Sequence, residues 1–262
     1  MIFIHVPKAA GQTIRSIVGR QYPREEILDT TDEAGADESG QLEDVASIKI
    51  FAGHLHYGFH EKLQRASMYV TMLREPVSRV LSLYRYVATT PSHHLHEYVL
   101  RTGLLNFVSG SVDENEIENG QTRQISGLTT RSPDASSLAQ AKENLARAFL
   151  AVGVAERFDE SLVLMRRRLG WKMPFYIQKN VTQQLPLGSE LADALEVIRS
   201  RNTLDVELYK FGAELLQEEI HREGWSFDVE LSAFRTLNAV ARLYRYSRDK
   251  ARHLTDKDVP DS

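Results

Sequence analysis

The chain has 262 residues, 42% of them hydrophobic and 26% charged, with a formal net charge of -4. That is an ordinary globular composition, long enough in one domain to bury roughly 70–75% of its unfolded surface. Without a global basic field, nucleic acid is not an expected partner and any anion site must be local. The chain contains no cysteine, which excludes disulfides, thiolate nucleophiles and cysteine-based zinc sites.

Ile2 to Val6 is a short apolar, β-branched run and reads as a buried strand. The opening MIFIHVPK has no basic segment before its short apolar run, so it does not read as a signal peptide. No stretch approaches the ~18 apolar residues of a membrane span. A cytoplasmic location is expected. After the strand, KAAGQTIRSIVGRQY reads as a loop entering a helix, with Ile14, Ile17 and Val18 on one face. Asp29 to Asp44 is acidic, polar and glycine-dotted, an exposed connection. Ile48 to Ala52 is a second strand candidate, followed by GHLHYG, and Met68 to Leu73 a third. Pro76 then suits a first helical position, and Val77, Val80, Leu81 and Tyr84 form an apolar stripe. Thr90 to Ser137 reads as irregular. A helix is expected over Leu138 to Leu150, a fourth strand with a turn in AVGVAERF, and a helix over DESLVLMRRRLG with Asp159 as N-cap and Gly170 as stop. PFYIQKNVTQQLP reads as a loop, Leu187 to Ser247 as mostly helical, and the end of the chain, residues 251–262, as a frayed tail after one domain over 1–250.

Recurring strand–loop–helix units predict an α/β fold with a P-loop-like central parallel sheet, flanked by helices and followed by a helical C-terminal part. Ligands of such sheets sit beyond the carboxyl ends of the strands, where PKAAGQT, GHLHYG and REP all fall. In the first of these, Ala9, Ala10 and Gly11 allow close backbone approach at a helix N-terminus that favours an anion. Lys8 adds a charge and Thr13 a hydroxyl. A Walker A loop would read G-x-x-x-x-G-K-[ST]; here the lysine precedes the glycine and the first glycine is missing. A strand-end arginine such as Arg74 can grip phosphate bidentately. Ser82 stands almost two turns into the following helix, roughly 9 Å along its axis. Each piece alone also suits a bland reading: a surface lysine, a salt-bridged arginine, a helix serine bonded to its own backbone.

As a pair, FIHVPKAAGQT and LREPVSRVLSLYRY resemble the two signature elements of sulfotransferases that use 3′-phosphoadenosine 5′-phosphosulfate (PAPS). The kinship indicated is with carbohydrate enzymes of the heparan sulfate 2-O and 6-O type and their soluble bacterial relatives. Softer similarity extends through GHLHYGFHE, NGQTRQISG, VGVAERFDESL and NTLDVELYKFG, covering about residues 2 to 215. The animal relatives carry a Golgi membrane anchor; none is expected for this sequence. The resemblance implies that Lys8, Ala9, Ala10, Gly11, Gln12 and Thr13 hold the 5′-phosphosulfate, with Lys8 also catalytic at the leaving oxygen. It assigns Arg74 and Ser82 to the 3′-phosphate and Lys179 or Asn180 to the nucleotide. The acceptor is then a hydroxyl, on a glycan or a small molecule, and the reaction needs no metal.

A base for that hydroxyl is sought among His54, His56 and His60, since histidine titrates near neutrality. The resemblance matches His54 to the catalytic base, and His56 is assigned to the acceptor. His5 reads as a satisfied strand-end residue. The group His93, His94, His96 and Glu97 does not meet the H-E-x-x-H spacing, so no metal site is expected. Arg166 to Arg168 read as a solvated helix face. Two rival readings stay open, a nucleotide or phosphate kinase on a P-loop-like fold and a nucleotide- or glycan-binding module without catalysis. The identity of the acceptor and the oligomeric state are not legible in the sequence.

Overall fold

A computed structural model describes residues 1–30, 45–63, 65–110, 114–177 and 190–255. Its centre is a five-stranded sheet. The elements run β1 (Ile2–Ile4), α1 (Gly11–Gln21), β2 (Ile27–Asp29), β3 (Ile50–Gly53), β4 (Tyr69–Leu73), α2 (Pro76–Thr89), α3 (His96–Ser109), α4 (Glu114–Ile117), α5 (Gly120–Ser126), α6 (Ala135–Arg147), β5 (Phe149–Val154), α7 (Phe158–Leu169), α8 (Leu191–Arg201), α9 (Thr203–Glu223) and α10 (Trp225–Thr255). The strand order is β2-β3-β1-β4-β5 and every pairing is parallel. This is the P-loop-like α/β sheet expected. Central parallel strands are covered on both faces, so β1 and β4 are apolar and buried along their length, except for Thr71, whose hydroxyl donates to the Ile4 carbonyl at 3.0 Å. With β1 in the middle of the order, the loops after β1, β3 and β4 emerge side by side at one edge.

Local signals placed several boundaries correctly. Pro76 opens α2 behind Glu75, whose carboxylate accepts from the N–H groups of Val77 at 3.0 Å and Ser78 at 2.7 Å. Gly170 ends α7 in the left-handed region, with φ 65°.

Other expectations are corrected. The segment 90–137 contains α3, α4 and α5, because Val99, Leu104, Phe107, Val108 and Ile117 pack with α2 and α8 in a second apolar cluster beside the sheet core. Burial there outweighs weak local signals. The helix expected over 138–150 is shifted to 135–147, capped by Asp134 and Ser137, since Phe149 and Leu150 are drawn into β5 alongside β4. The strand with a turn expected at 151–158 is present, with the turn at Ala155–Arg157, but the strand starts earlier, at Phe149. Asp159 is not the N-cap of α7, which is Arg157; the carboxylate of Asp159 instead accepts from Tyr176 Oη at 2.8 Å. Edge strand β2 escaped notice because three residues carry no periodicity. Asp29, read as the start of the acidic loop, is its last residue, and 31–44 lie outside the described residues.

Arg166, Arg167 and Arg168 are not a solvated face. Arg166 pairs with Glu230 at 2.5 Å, Arg167 with Glu223 at 2.6 Å and Glu230 at 2.8 Å, and Arg168 with Glu219 and Glu223, clasping α7 to α9 and α10. Helix α10 also continues through Thr255, so residues 251–255 of the expected frayed tail are helical.

Candidate active site

The loop after β1 turns sharply. Lys8 and Ala10 adopt positive φ, 66° and 65°, although neither is glycine. Alternation into the left-handed region turns successive backbone N–H groups toward one side, the geometry of an anion-binding nest, and such strained residues cluster at ligand sites. The nest leads into α1, whose first N–H groups have no partner within the helix. Ala9 is buried in the sheet core and Thr13 is buried under the loop, so the loop is tethered from below. Ala9 N–H donates to the Val6 carbonyl at 3.2 Å and Thr13 N–H to the Ala10 carbonyl at 3.1 Å.

Arg74, one residue beyond β4, reaches this loop directly. Its Nη1 donates to the Lys8 carbonyl at 2.8 Å. The loop and the arginine were separate pieces in the sequence; here they are locked together. Lys8 Nζ lies 3.9 Å from the centroid of the Tyr86 ring. Ser82 is one helical turn before Tyr86 on α2 and is buried. Residues at i and i+4 share a helix face, so Ser82 is on the side of α2 that meets the lysine.

Cations and carboxylates meet around the loop, where Arg74 Nε lies 4.0 Å from Glu156 Oε1. Burial and then the Arg74 guanidinium push the Lys8 pKa down to about 8, with Glu116 opposing. Burial also lowers that of Arg74, with Glu156 and Glu75 opposing and Arg79 and Arg85 adding to the lowering. Two cations beside the nest, Lys8 with its pKa lowered in part by Arg74, suit an anion.

His54 begins the segment after β3. The residue is exposed, and its ring centroid is 4.9 Å from that of His5. Crowding by the surrounding walls and the nearby Arg15 guanidinium lower its pKa, while Asp29 opposes. Arg15 Nε donates to Asp29 Oδ2 at 2.6 Å, which holds that cation in place. His54 is therefore kept neutral near pH 7.

His56 does not share that face. The chain turns after β3, and His56 lies by Arg123 and Leu128 at the end of α5, its Nδ1 buried without a hydrogen-bond partner. His60 Nδ1 is 2.8 Å from Tyr69 Oη, a structural contact away from the loop. His93 meets the Tyr86 ring edge-on at 5.8 Å and His94 stacks on His93 at 4.6 Å, while His96 Nδ1 lies 2.9 Å from the Val87 carbonyl. Among the described residues no group of three His, Asp or Glu side chains is placed to hold a metal. Lys179 and Asn180 lie outside the described residues.

His5 corrects its expected role in part. Its backbone is satisfied, N–H donating to the Gly53 carbonyl at 2.8 Å, but its ring Nδ1 is buried without a hydrogen-bond partner. Burial, then His54 and Arg15, hold its pKa down at about 3, so the ring is neutral. That ring lies against the start of α1: a Cβ on Gly11 would stand 1.8 Å from His5 Cδ2 and Nε2. Gly11→Ala is expected to destabilise the protein by about 1–3 kcal/mol, the scale of overpacking. Thermal denaturation checks this, and combining it with His5→Ala should return much of the loss; an unaltered Tm in the single variant contradicts it.

The family model for galactose-3-O-sulfotransferase matches residues 40–256. The chain belongs to the galactose-3-O-sulfotransferase family. It is 30% identical over 212 residues to human galactose-3-O-sulfotransferase 3, an alignment covering 75% of this chain and 48% of that protein. With mouse galactose-3-O-sulfotransferase 2 the identity is 24% over 187 residues, covering 67% and 47%. The chain thus spans about half the length of the curated relatives it matches. A crystal structure of mouse sulfotransferase SULT7A1 complexed with PAP aligns with TM-score 0.38 and 13% identity, over 76% of this chain and 63% of that one. The family is a carbohydrate sulfotransferase family. Its matched region contains Arg74, Ser82, His54 and α5, whereas the Lys8 loop lies N-terminal to it.

Proposed function

We propose that this chain transfers a sulfuryl group from PAPS to a hydroxyl of a galactose-containing glycan. The observation that carries the reading is the bond from Arg74 Nη1 to the Lys8 carbonyl, 2.8 Å, which puts a phosphate-gripping arginine and a nest-forming loop in one crevice. Galactose as the acceptor follows the names of the relatives.

The residues fit a nucleotide with anions at both ends. Positive-φ backbone at Lys8 and Ala10 forms the cradle at the loop, and the cations Lys8 and Arg74 match the negative charge. PAPS supplies the activated sulfuryl group and a phosphate leaving group. In this reading the loop N–H groups and Thr13 hold the 5′-phosphate end, Arg74 and Ser82 the 3′-phosphate, and Lys8 gives charge to the oxygen from which the sulfur departs. His54 takes the acceptor proton, and its neutral form, favoured by the Arg15 charge, is the form able to do so. Positioning and electrostatics supply most of the acceleration, as in phosphoryl transfer.

The test is ligand discrimination. Wild type should bind 3′-phosphoadenosine 5′-phosphate (PAP) much more tightly than adenosine 5′-phosphate (AMP), and should not be stabilised by ATP with magnesium to the same degree. Arg74→Ala should lose about 1.5–3 kcal/mol of PAP binding, the scale of a hydrogen bond to a charged group, with AMP little affected. Equal wild-type affinity for PAP and AMP, read by calorimetry, would falsify the assignment.

A further inference from the structure

The backbone of Arg74 is held in a way that the nucleotide reading does not itself require. Arg74 lies just past the last residue of β4, where the sheet ladder no longer pairs its peptide groups. Gln121 takes over. Its Oε1 accepts from the Arg74 N–H at 2.9 Å, and its Nε2 donates to the Arg74 carbonyl at 2.9 Å. A single side-chain amide thus satisfies both backbone groups of one residue, fixing its translation and its rotation.

Gln121 is fully buried and is fixed in turn. Its own N–H donates to Asp205 Oδ2 at 3.1 Å, and the Thr122 N–H and Oγ1 donate to Asp205 Oδ1 at 2.7 and 2.8 Å. Arg79 Nη2, fully buried, lies 3.7 Å from the same carboxylate. The first turn of α9 is pinned to the loop before α5 as well: Asn119 Oδ1 accepts from the Leu204 and Asp205 N–H groups at 3.0 and 3.1 Å, and Asn119 N–H donates to Asn202 Oδ1 at 3.1 Å. The chain of contacts runs from α9 through α5 to the strand end, and through Arg74 Nη1 to the Lys8 loop.

We propose that Gln121 is a positioning residue for Arg74: with Asp205 behind it, it sets the guanidinium against the 3′-phosphate and so makes the site select nucleotides that carry one. This rests on the sulfotransferase reading above. Gln121 touches no ligand in this account. Its effect passes through the Arg74 backbone, and a guanidinium displaced by a fraction of an ångström loses much of its bidentate advantage.

The experiment measures PAP and AMP affinity on the full chain by calorimetry, alongside Tm. Gln121→Leu removes both bonds at similar volume and should reduce the PAP-over-AMP preference by about tenfold or more, with AMP affinity within a factor of about two. Gln121→Glu keeps the acceptor for the Arg74 N–H and loses the donor to its carbonyl; its preference should fall between those of leucine and wild type. Ser137→Ala, which breaks the capping box of α6 away from the site, controls for lost stability and should lower Tm without altering the preference. A folded Gln121→Leu with the wild-type preference overturns the proposal. Should that variant fail to fold, an unchanged preference in Gln121→Glu overturns it equally. Wild-type protein without any preference for PAP is a different result: it removes the sulfotransferase reading of Arg74 before Gln121 is at issue.

Discussion

Lys8→Ala is expected to reduce turnover by about 10²–10³-fold, the range seen when one preorganised electrostatic donor is lost, while PAP binding weakens much less. The asymmetry follows from the location of the ammonium. The nest of the β1–α1 loop is built from backbone, and Arg74 grips the loop through the Lys8 carbonyl, which an alanine retains. The side chain adds a charge that is needed most when negative charge appears on the departing phosphate. Its pKa, about 8 with burial and Arg74 as the leading causes, gives a second readout. The ammonium is charged below that value and loses its charge as pH rises through it, so kcat/KM for the donor should fall on the alkaline side near pH 8. Lys8→Arg, whose charge does not titrate there, should abolish that alkaline limb. A Lys8→Ala protein with normal turnover and only a raised donor KM makes Lys8 a binding residue.

His54→Ala should lose about 10²–10⁴-fold in turnover, the contribution of a general base, and should still bind PAP. The residue is exposed beside His5, and desolvation by its neighbours, then the Arg15 charge, lower its pKa. A base works in its neutral form, so activity should decline as pH falls through the His54 pKa. That value is depressed, which sets the acidic limb below the ordinary histidine range; the limb should disappear in the variant. Arg15→Gln removes a cation that lowers the His54 pKa, and should therefore move the limb toward higher pH. His56→Ala should be milder, since His56 is turned toward Arg123 and α5. A nearly normal His54→Ala beside an inactive His56→Ala reverses the assignment. If both stay active, the base lies elsewhere, with His93 next because its ring meets that of Tyr86, which carries the Lys8 ammonium.

The parallel sheet was legible in the sequence because continuous apolar runs such as Ile2–Ile4 and Tyr69–Leu73 have no other economical use than a sheet covered on both faces. The loop was legible because lysine, small residues and a hydroxyl follow a strand within a few positions, and chain connectivity alone keeps them together. Arg74, Pro76 and Ser82 were legible for the same reason, as neighbours on one strand end and one helix. What connectivity cannot supply is the partner across the fold. Tyr86 looked like one more aromatic of a helix until its ring was found under the Lys8 ammonium. Gln121 and Asp205 are 84 positions apart, and neither residue type announces that it is buried; a lone aspartate near the start of a helix reads as an ordinary first-turn acid. The arginine run on α7 looked solvated because Glu219, Glu223 and Glu230 lie more than 50 positions downstream.

Two histidines two residues apart show the same division at its smallest scale. The sequence by itself determined that a chain without cysteine carries its histidine candidates just after β3, since His54 and His56 follow Gly53 in covalent order. Only the tertiary structure decided which side each one faces. The backbone bends after β3, so the alternation of an extended strand no longer applies, and the two rings are apportioned by what packs against them: β1 and Arg15 for His54, α5 and Arg123 for His56. Residue type and order fix the chemistry a segment can offer, because they are covalent. Direction, burial and charge environment are set by contacts between segments distant in sequence, and only the packed fold brings those together.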